Sequence, residues 1–136
     1  MNRFENVLAR WQPAGLSLLR FITGLLLFQY GVAKIFKYPA VAYFAKVPPL
    51  TYAAGALELV LGALLMIGLY TRLSAFILSG LMAAAYFIGH MFKAPAKPVF
   101  MPLLNGGTAS ILFCFACLYL AMAGGGPISA DAMRRR

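Results

Sequence analysis

Glu58 is the one acid in a run that is otherwise apolar from Ala56 to Gly68, inside the stretch GALELVLGALLMIGLYTR (residues 55–72). An ionisable side chain in such a run is costly to bury, so it pairs, or it marks a path for protons or substrate. Arg20, Lys34 and His90 stand in comparable apolar surroundings, and Tyr30, Tyr86 and Asn105 add neutral hydrogen-bonding groups. Two kinds of chemistry fit these residue types. Glu58 with Arg20 makes a candidate proton relay, while His90, Asn105, Tyr86, Lys34 and Tyr30 make a candidate ligand-binding set for a small polar headgroup. The plainer alternative is that Arg20 and Glu58 neutralise each other and that His90 and Asn105 cross-link helices.

Other chemistries are narrowed by what the chain lacks. The sequence has a single His and two Cys, no C-x-x-C-H and no G-x-G-x-x-G, which argues against bis-histidine or covalent haem, a dinucleotide fold, or a metal site within one chain. Cys114 and Cys117 do match C-x-x-C. On a helical wheel Cys114 lies about 180° and Cys117 about 120° from Asn105, so both read as small packing residues away from the polar set.

The elements that must position these groups follow from composition. The 136 residues are 62% hydrophobic and 11% charged, with a mean hydropathy of +0.82, which places the chain in lipid. Apolar segments of bilayer-spanning length run over about 14–35, 50–70, 72–92 and 103–123. Backbone groups in hydrocarbon must be satisfied internally, and ten-residue alternating segments of a barrel are absent, so the spans are helices. The run after MNRFENVLAR is too long for a signal peptide and lacks a small-residue cleavage site, and is kept as the first span. The expected fold is an all-α integral membrane protein, residues 1–136 forming one membrane domain, with an antiparallel four-helix bundle.

Tyr70, Thr71 and Arg72 alone join spans two and three, forcing a hairpin, with Thr71 or Ser74 as the cap of the third helix. KYPAVAYFAKVPP after the first span reads as a short interfacial segment with Lys46 snorkelling, and KAPAKPVFMP as a proline-rich loop. An even number of spans puts both termini on one side with Arg3, Arg10, Arg72, Arg134, Arg135 and Arg136, opposite Lys34, Lys37, Lys46, Lys93 and Lys97. That bias points to cytoplasmic termini. Tyr30, Tyr38, Tyr43 and Tyr52 then belong to the outer aromatic belt, Trp11 and Tyr70 to the inner one. The net charge of +9 flanks the spans at both faces, as expected for contact with lipid headgroups and not nucleic acid.

Each span carries one polar seam on a helical wheel. The seams are Arg20, Gly24, Gly31 and Lys34; then Thr51, Ala54, Gly55, Glu58, Gly62 and Leu65; then Arg72, Phe76, Ser79, Ala83, Tyr86 and His90; and last Asn105, Thr108, Ala109, Leu112, Ala116 and Tyr119. Counted from the terminal side at 1.5 Å per residue, Arg20 lies at roughly 9 Å, Glu58 at roughly 18 Å, His90 at roughly 27 Å and Lys34 at roughly 30 Å. Those heights bring Arg20 within reach of Glu58 and put a polar pocket above them.

LRFITGLLLFQYGVAKIF, GALELVLGALLMIGLYTR, AYFIGHMF and LLNGGTASILFCFACLYLAMAGGGPISAD together resemble the DoxX family of small four-helix bacterial inner-membrane proteins. Arg20, Gly24, Gly31, Lys34, Glu58, Thr71, Arg72, His90, Asn105, Gly106, Ser129 and Asp131 arrive in the family's order and spacing. The family often has His where this chain has Tyr30, and an acid where it has Thr108. The resemblance implies a bacterial inner-membrane location and association with terminal oxidase, quinone-linked oxidoreductase or thiol-stress complexes. It thus implies partner oxidoreductase subunits and a quinone as the molecule handled, with no cofactor held within the chain and a homo-oligomer as a further form. A small-molecule or lipid transporter, or a non-catalytic scaffold for a partner enzyme, are the other readings of the same pocket.

Overall fold

The structure, a computed structural model, describes residues 2–38, 48–91 and 98–135. It is helical throughout its ordered elements, and the helices alternate in direction across short connections.

Helix α1, Arg3–Arg10, is closed at its start by a capping box: the Asn2 side chain accepts the Glu5 amide and the Glu5 carboxylate accepts the Asn2 amide, both at 2.8 Å. Phe4, Val7, Leu8 and Trp11 recur at helical spacing and are all exposed, an amphipathic stripe suited to lying in the membrane interface. The sequence reading places its interfacial segment elsewhere, after the first span; residues 39–47 of that segment, including Tyr43 and Lys46, lie outside the described residues.

Helices α2 (Gln12–Ile35) and α3 (Pro49–Ile67) follow, each with proline in its first turn, where a missing N–H costs nothing. Helix α3 stops at Gly68, whose φ of +74° lets the Gly68 and Leu69 amides turn back onto the Leu65 and Leu64 carbonyls. Helix α4, Thr71–Ala85, continues into a wider π-helical turn, Tyr86–Met91. The fourth apolar segment is broken: α5, Pro102–Asn105, is separated from α6, Thr108–Ala123, at Gly106 and Gly107. A last short helix, α7, covers Ala130–Arg134. Gln12–Ile35, Pro49–Ile67 and Thr71–Met91 are each long and apolar enough to cross a bilayer, and α6 is apolar but shorter. The chain is a multi-pass membrane protein.

The bundle is two close pairs. Helix α2 packs most extensively on α3 and α4 on α6, while the pairs meet each other less closely. Glycines set the first pair: a Cβ at Gly31 would lie 2.6 Å from the Leu59 nitrogen, and one at Gly24 would lie 2.7 Å from that of Met66, so only hydrogen lets the backbones meet. Leu27, Leu65, Ala75, Leu78, Met82, Cys117 and Leu120 form the buried core where the pairs touch.

The inward faces of α2 and α3 agree with the wheel, with Arg20, Gly24, Gly31, Gly55, Glu58, Gly62 and Leu65 buried. Those of α4 and α6 agree only in part: Ser79 and Tyr86 are buried as expected, but other positions are not. Phe76 is 65% exposed and Arg72 is exposed, while Ser74, Ala75 and Leu78 turn inward. Leu112 is 68% exposed and Tyr119 is exposed, while Cys117 and Leu120 are fully buried. A bundle in lipid buries small and snugly packing groups and leaves large apolar ones outside, so polarity is a poor guide to the inner face of α6. Neither Thr71 nor Ser74 caps α4; the Tyr70 and Thr71 amides are held by Asp131 of α7 instead.

Candidate functional site

Glycine packing also decides which cation meets Glu58. Gly31 against Leu59, and Gly62 against Phe28, fix an antiparallel register that sets Glu58 level with Val32. Lys34 is then within one turn of it, while Arg20 is about three turns away. The expected Arg20–Glu58 pair is therefore not formed. Lys34 Nζ donates to Glu58 Oε1 at 2.8 Å and to Oε2 at 3.1 Å. The counted heights misled because an error of a few residues at each span end shifts one helix against the other. Gly55 makes room for the pair: a Cβ there would lie 2.7 Å from Lys34 Cβ and 3.2 Å from Cδ, so the lysine stem lies along α3 where a side chain would stand.

The pair forms part of a cavity wall. Of the two side chains, Glu58 is 2% exposed and Lys34 12%. A cavity of about 700 Å³ opens beside them, lined by Leu27 and Tyr30 of α2, Leu57 of α3, Ile88 and His90 beyond α4, and Ser110 and Phe113 of α6. Ala53 and Leu57 on α3 face Ala84 and Ile88 on the α4 side as exposed apolar rims. The cavity thus opens sideways, towards the surface that lipid covers. Tyr30 stands between charge and core, its ring 5.9 Å from Lys34 Nζ and edge-on to Phe113 at 6.3 Å.

His90 reaches this cavity because α4 widens into its π turn, a device often found where a helix serves a site. Its Nδ1 lies 3.3 Å from the Asn105 carbonyl oxygen. A carbonyl only accepts, so this contact needs a proton on Nδ1, and in the neutral ring Nε2 is then the acceptor. Tyr86 and Asn105 do not line the cavity. Tyr86 Oη donates to the Phe100 carbonyl at 3.0 Å and accepts from Asn105 Nδ2 at 3.2 Å, while Asn105 also donates to Val99 and accepts the Gly107 amide. They pin the α5–α6 corner and the irregular segment 98–101 behind His90. The structure brings His90, Lys34, Tyr30 and Glu58 together and sets Tyr86 and Asn105 one layer back.

Arg20 is at the other end, 4% exposed. Its Nε donates to the Leu65 carbonyl at 2.8 Å, Nη1 to Gly125 at 2.7 Å and Ile128 at 2.8 Å, and Nη2 to Met66 at 3.3 Å. Leu65 and Met66 belong to the last turn of α3, so the guanidinium fork satisfies a helix end and ties the C-terminal loop to it. Ser17 joins the same knot through Gly125 and Ile128. Sequence reasoning misses this knot, although the helix-ending Gly68 and the run Gly124 to Pro127 mark backbone that has to be held from elsewhere.

Asp131 completes that end, accepting the Tyr70 and Thr71 amides at 2.8 Å each. Burial pushes its carboxyl up, but Thr71, the Tyr70 amide and the Arg134 charge together hold it below the ordinary carboxylate value. Among the described residues no three His, Cys, Asp or Glu side chains converge to hold a metal ion. Cys117 is in the core, and Cys114 presents its carbonyl to the Ser79 hydroxyl at 2.8 Å, both as packing groups between α4 and α6.

Residues 15–91 match the family model described as DoxX. A protein of Haemophilus influenzae, described as an uncharacterized protein, is 35% identical over 129 residues, which cover 93% of this chain and 95% of that relative. No solved structure gives a significant match.

Proposed function

The chain belongs to the DoxX family, and from that premise we propose that it is a membrane subunit or accessory protein of a quinone-linked oxidoreductase system, its cavity taking the quinone headgroup. What carries the reading is the charged pair Lys34–Glu58 at the wall of an apolar cavity that opens sideways. A cavity of about 700 Å³ is in the range of small-molecule sites, which are mostly apolar with a few polar groups that fix orientation. A quinone has that shape: an apolar tail in lipid and a ring with two oxygens. Lys34 can exchange a bond to Glu58 for one to a headgroup carbonyl, and the His90 Nε2 accepts from a quinol hydroxyl. Glu58, released from Lys34, holds or passes a proton. Reduction of quinone to quinol takes two electrons and two protons; in this reading the electrons come from a partner oxidoreductase, and this chain supplies the binding site and protons.

We also propose the bacterial inner membrane as the location, with cytoplasmic termini. Cysteines introduced singly at Asn2 and Lys37 report this: an impermeant reagent applied to intact cells labels position 37 and not position 2. The function is tested by titrating the purified chain with a water-soluble ubiquinone or menaquinone analogue and following thermal stability. Saturable stabilisation that His90→Phe removes is expected. No saturable stabilisation by either analogue refutes the quinone reading and leaves transport or scaffolding for the same fold.

A further inference from the structure

The end of the bundle that carries both termini has a second depression, of about 440 Å³, lined by Tyr70, Thr71, Arg72, Gly124, Asp131, Arg134 and Arg135 among others. Three guanidinium groups meet one carboxylate there. That carboxylate is spoken for, since both Asp131 oxygens accept backbone amides. The depression is therefore cationic, and two of its arginines, Arg72 and Arg134, are stationed. Arg72 Nη1 holds the Met122 carbonyl at the end of α6, at 2.6 Å, and its Nη2 lies on the Gly124 side, where a Cβ would stand 3.2 Å away. The Arg134 guanidinium sits over the Tyr70 ring, 4.9 Å from its centroid, so the aromatic face holds it at the rim. Arg135 follows in the next position of the chain.

We infer that this depression binds the phosphodiester headgroup of an anionic phospholipid. The guanidinium fork matches phosphate oxygens in charge and in planar geometry. The site lies at the turn between α3 and α4, both long and apolar enough to cross the membrane, and beside the end of α6, the depth at which headgroup phosphates are found. Directly below it α4 and α6 present large exposed apolar side chains, Leu73 and Phe76 on one and Tyr119 and Met122 on the other, a surface for the acyl chains of the same lipid. A soluble anion would use only the upper part. The inference is independent of the quinone reading: it concerns the opposite end of the bundle and shares no lining residue with the Lys34–Glu58 cavity.

The full-length chain, purified in a neutral detergent, is titrated with phosphatidylglycerol, with phosphatidylcholine of the same acyl chains, with glycerophosphoglycerol and with inorganic phosphate. Binding is read by native mass spectrometry and by thermal shift. Saturable binding of phosphatidylglycerol is expected, tighter than that of phosphatidylcholine and of either soluble phosphate, and weakened by added salt. Each arginine near the surface contributes about fivefold, so the double variant Arg134→Gln/Arg135→Gln should weaken phosphatidylglycerol binding about 25-fold, and Arg72→Gln about fivefold. His90→Phe should leave it unchanged. Arg72→Gln also removes a cap on α6, so if it does not fold, the double variant at the exposed end of α7 decides. Equal binding of phosphatidylcholine, or full retention of phosphatidylglycerol binding by the double variant, overturns the inference. Inorganic phosphate binding as tightly as the lipid overturns it too, by assigning the site to a free anion.

Discussion

Helix α2 carries two cations on one face, and the protein treats them differently. Arg20 is closed in by four backbone carbonyls, from α3 and the C-terminal loop. Lys34 donates to the Glu58 carboxylate, and both line a cavity. A guanidinium with four hydrogen bonds to backbone has little to exchange without unpicking the fold; it is a structural tie. An ammonium and a carboxylate at a cavity wall can part, with a ligand or a proton taking the place of either. A buried charge in a membrane span thus points to function only when its partner is itself exchangeable.

That contrast predicts the largest effect at Arg20. Arg20→Met removes the guanidinium from the Leu65, Met66 and Ile128 carbonyls and leaves Gly125 with Ser17 alone, and should cost about 4 kcal/mol, read as a collapse of thermal stability in detergent. Arg20→Lys should rescue little, because one ammonium cannot span α3 and the C-terminal loop at once. Full stability with lysine would erase the difference between the two cations.

At the other end the charges are coupled to each other. Lys34→Met leaves Glu58 buried without its partner and should cost about 3 kcal/mol, while Lys34→Met/Glu58→Gln should cost clearly less than the sum of the two single changes. Additive losses would break the pair as a unit. The same cycle built on Arg20 and Glu58 should show no coupling.

Acid should loosen the Arg20 end through Asp131. The Asp131 carboxyl is held below its ordinary value in the folded protein, so its contribution is present above the unfolded carboxylate range and is lost as pH falls through the folded value. Asp131→Asn should remove that acid-sensitive step and, as a weakened helix cap, cost about 1 kcal/mol at neutral pH. A pH profile of thermal stability, wild type against variant, checks this. The smallest effect is expected at His90, whose 3.3 Å contact with the Asn105 carbonyl is long: His90→Phe should change stability by less than about 1 kcal/mol while abolishing the response to a quinone analogue. A large loss of stability would make His90 a tie like Arg20.

The sequence makes the helices legible because segments of about twenty apolar residues have no other stable form in lipid. The α2–α3 face is also legible, since Gly24, Gly31, Gly55 and Gly62 align with Arg20, Lys34 and Glu58 at helical spacing. Which cation meets Glu58 is not, because the register rests on backbone contacts at those glycines that face and height do not determine. The inner face of α6 is hidden for a different reason: Thr108 and Tyr119 look like core-seeking polar groups, yet an exposed hydroxyl near a span end reaches the interface, and Cys117 is small enough to fill the core. The break at Gly106 and Gly107, which turns one expected span into two helices, is visible only as a glycine pair.

The Arg20 tie also has a direction in time. Its donors sit in the first span, and Leu65 and Met66 in the second, so half of its partners are made early. Gly125 and Ile128 are translated only after α6. Until they leave the ribosome, the guanidinium waits partly unmet at the mouth of the newly inserted hairpin. The loop after α6 therefore seals what α2 opens, and the bundle is tied only once that loop has been made.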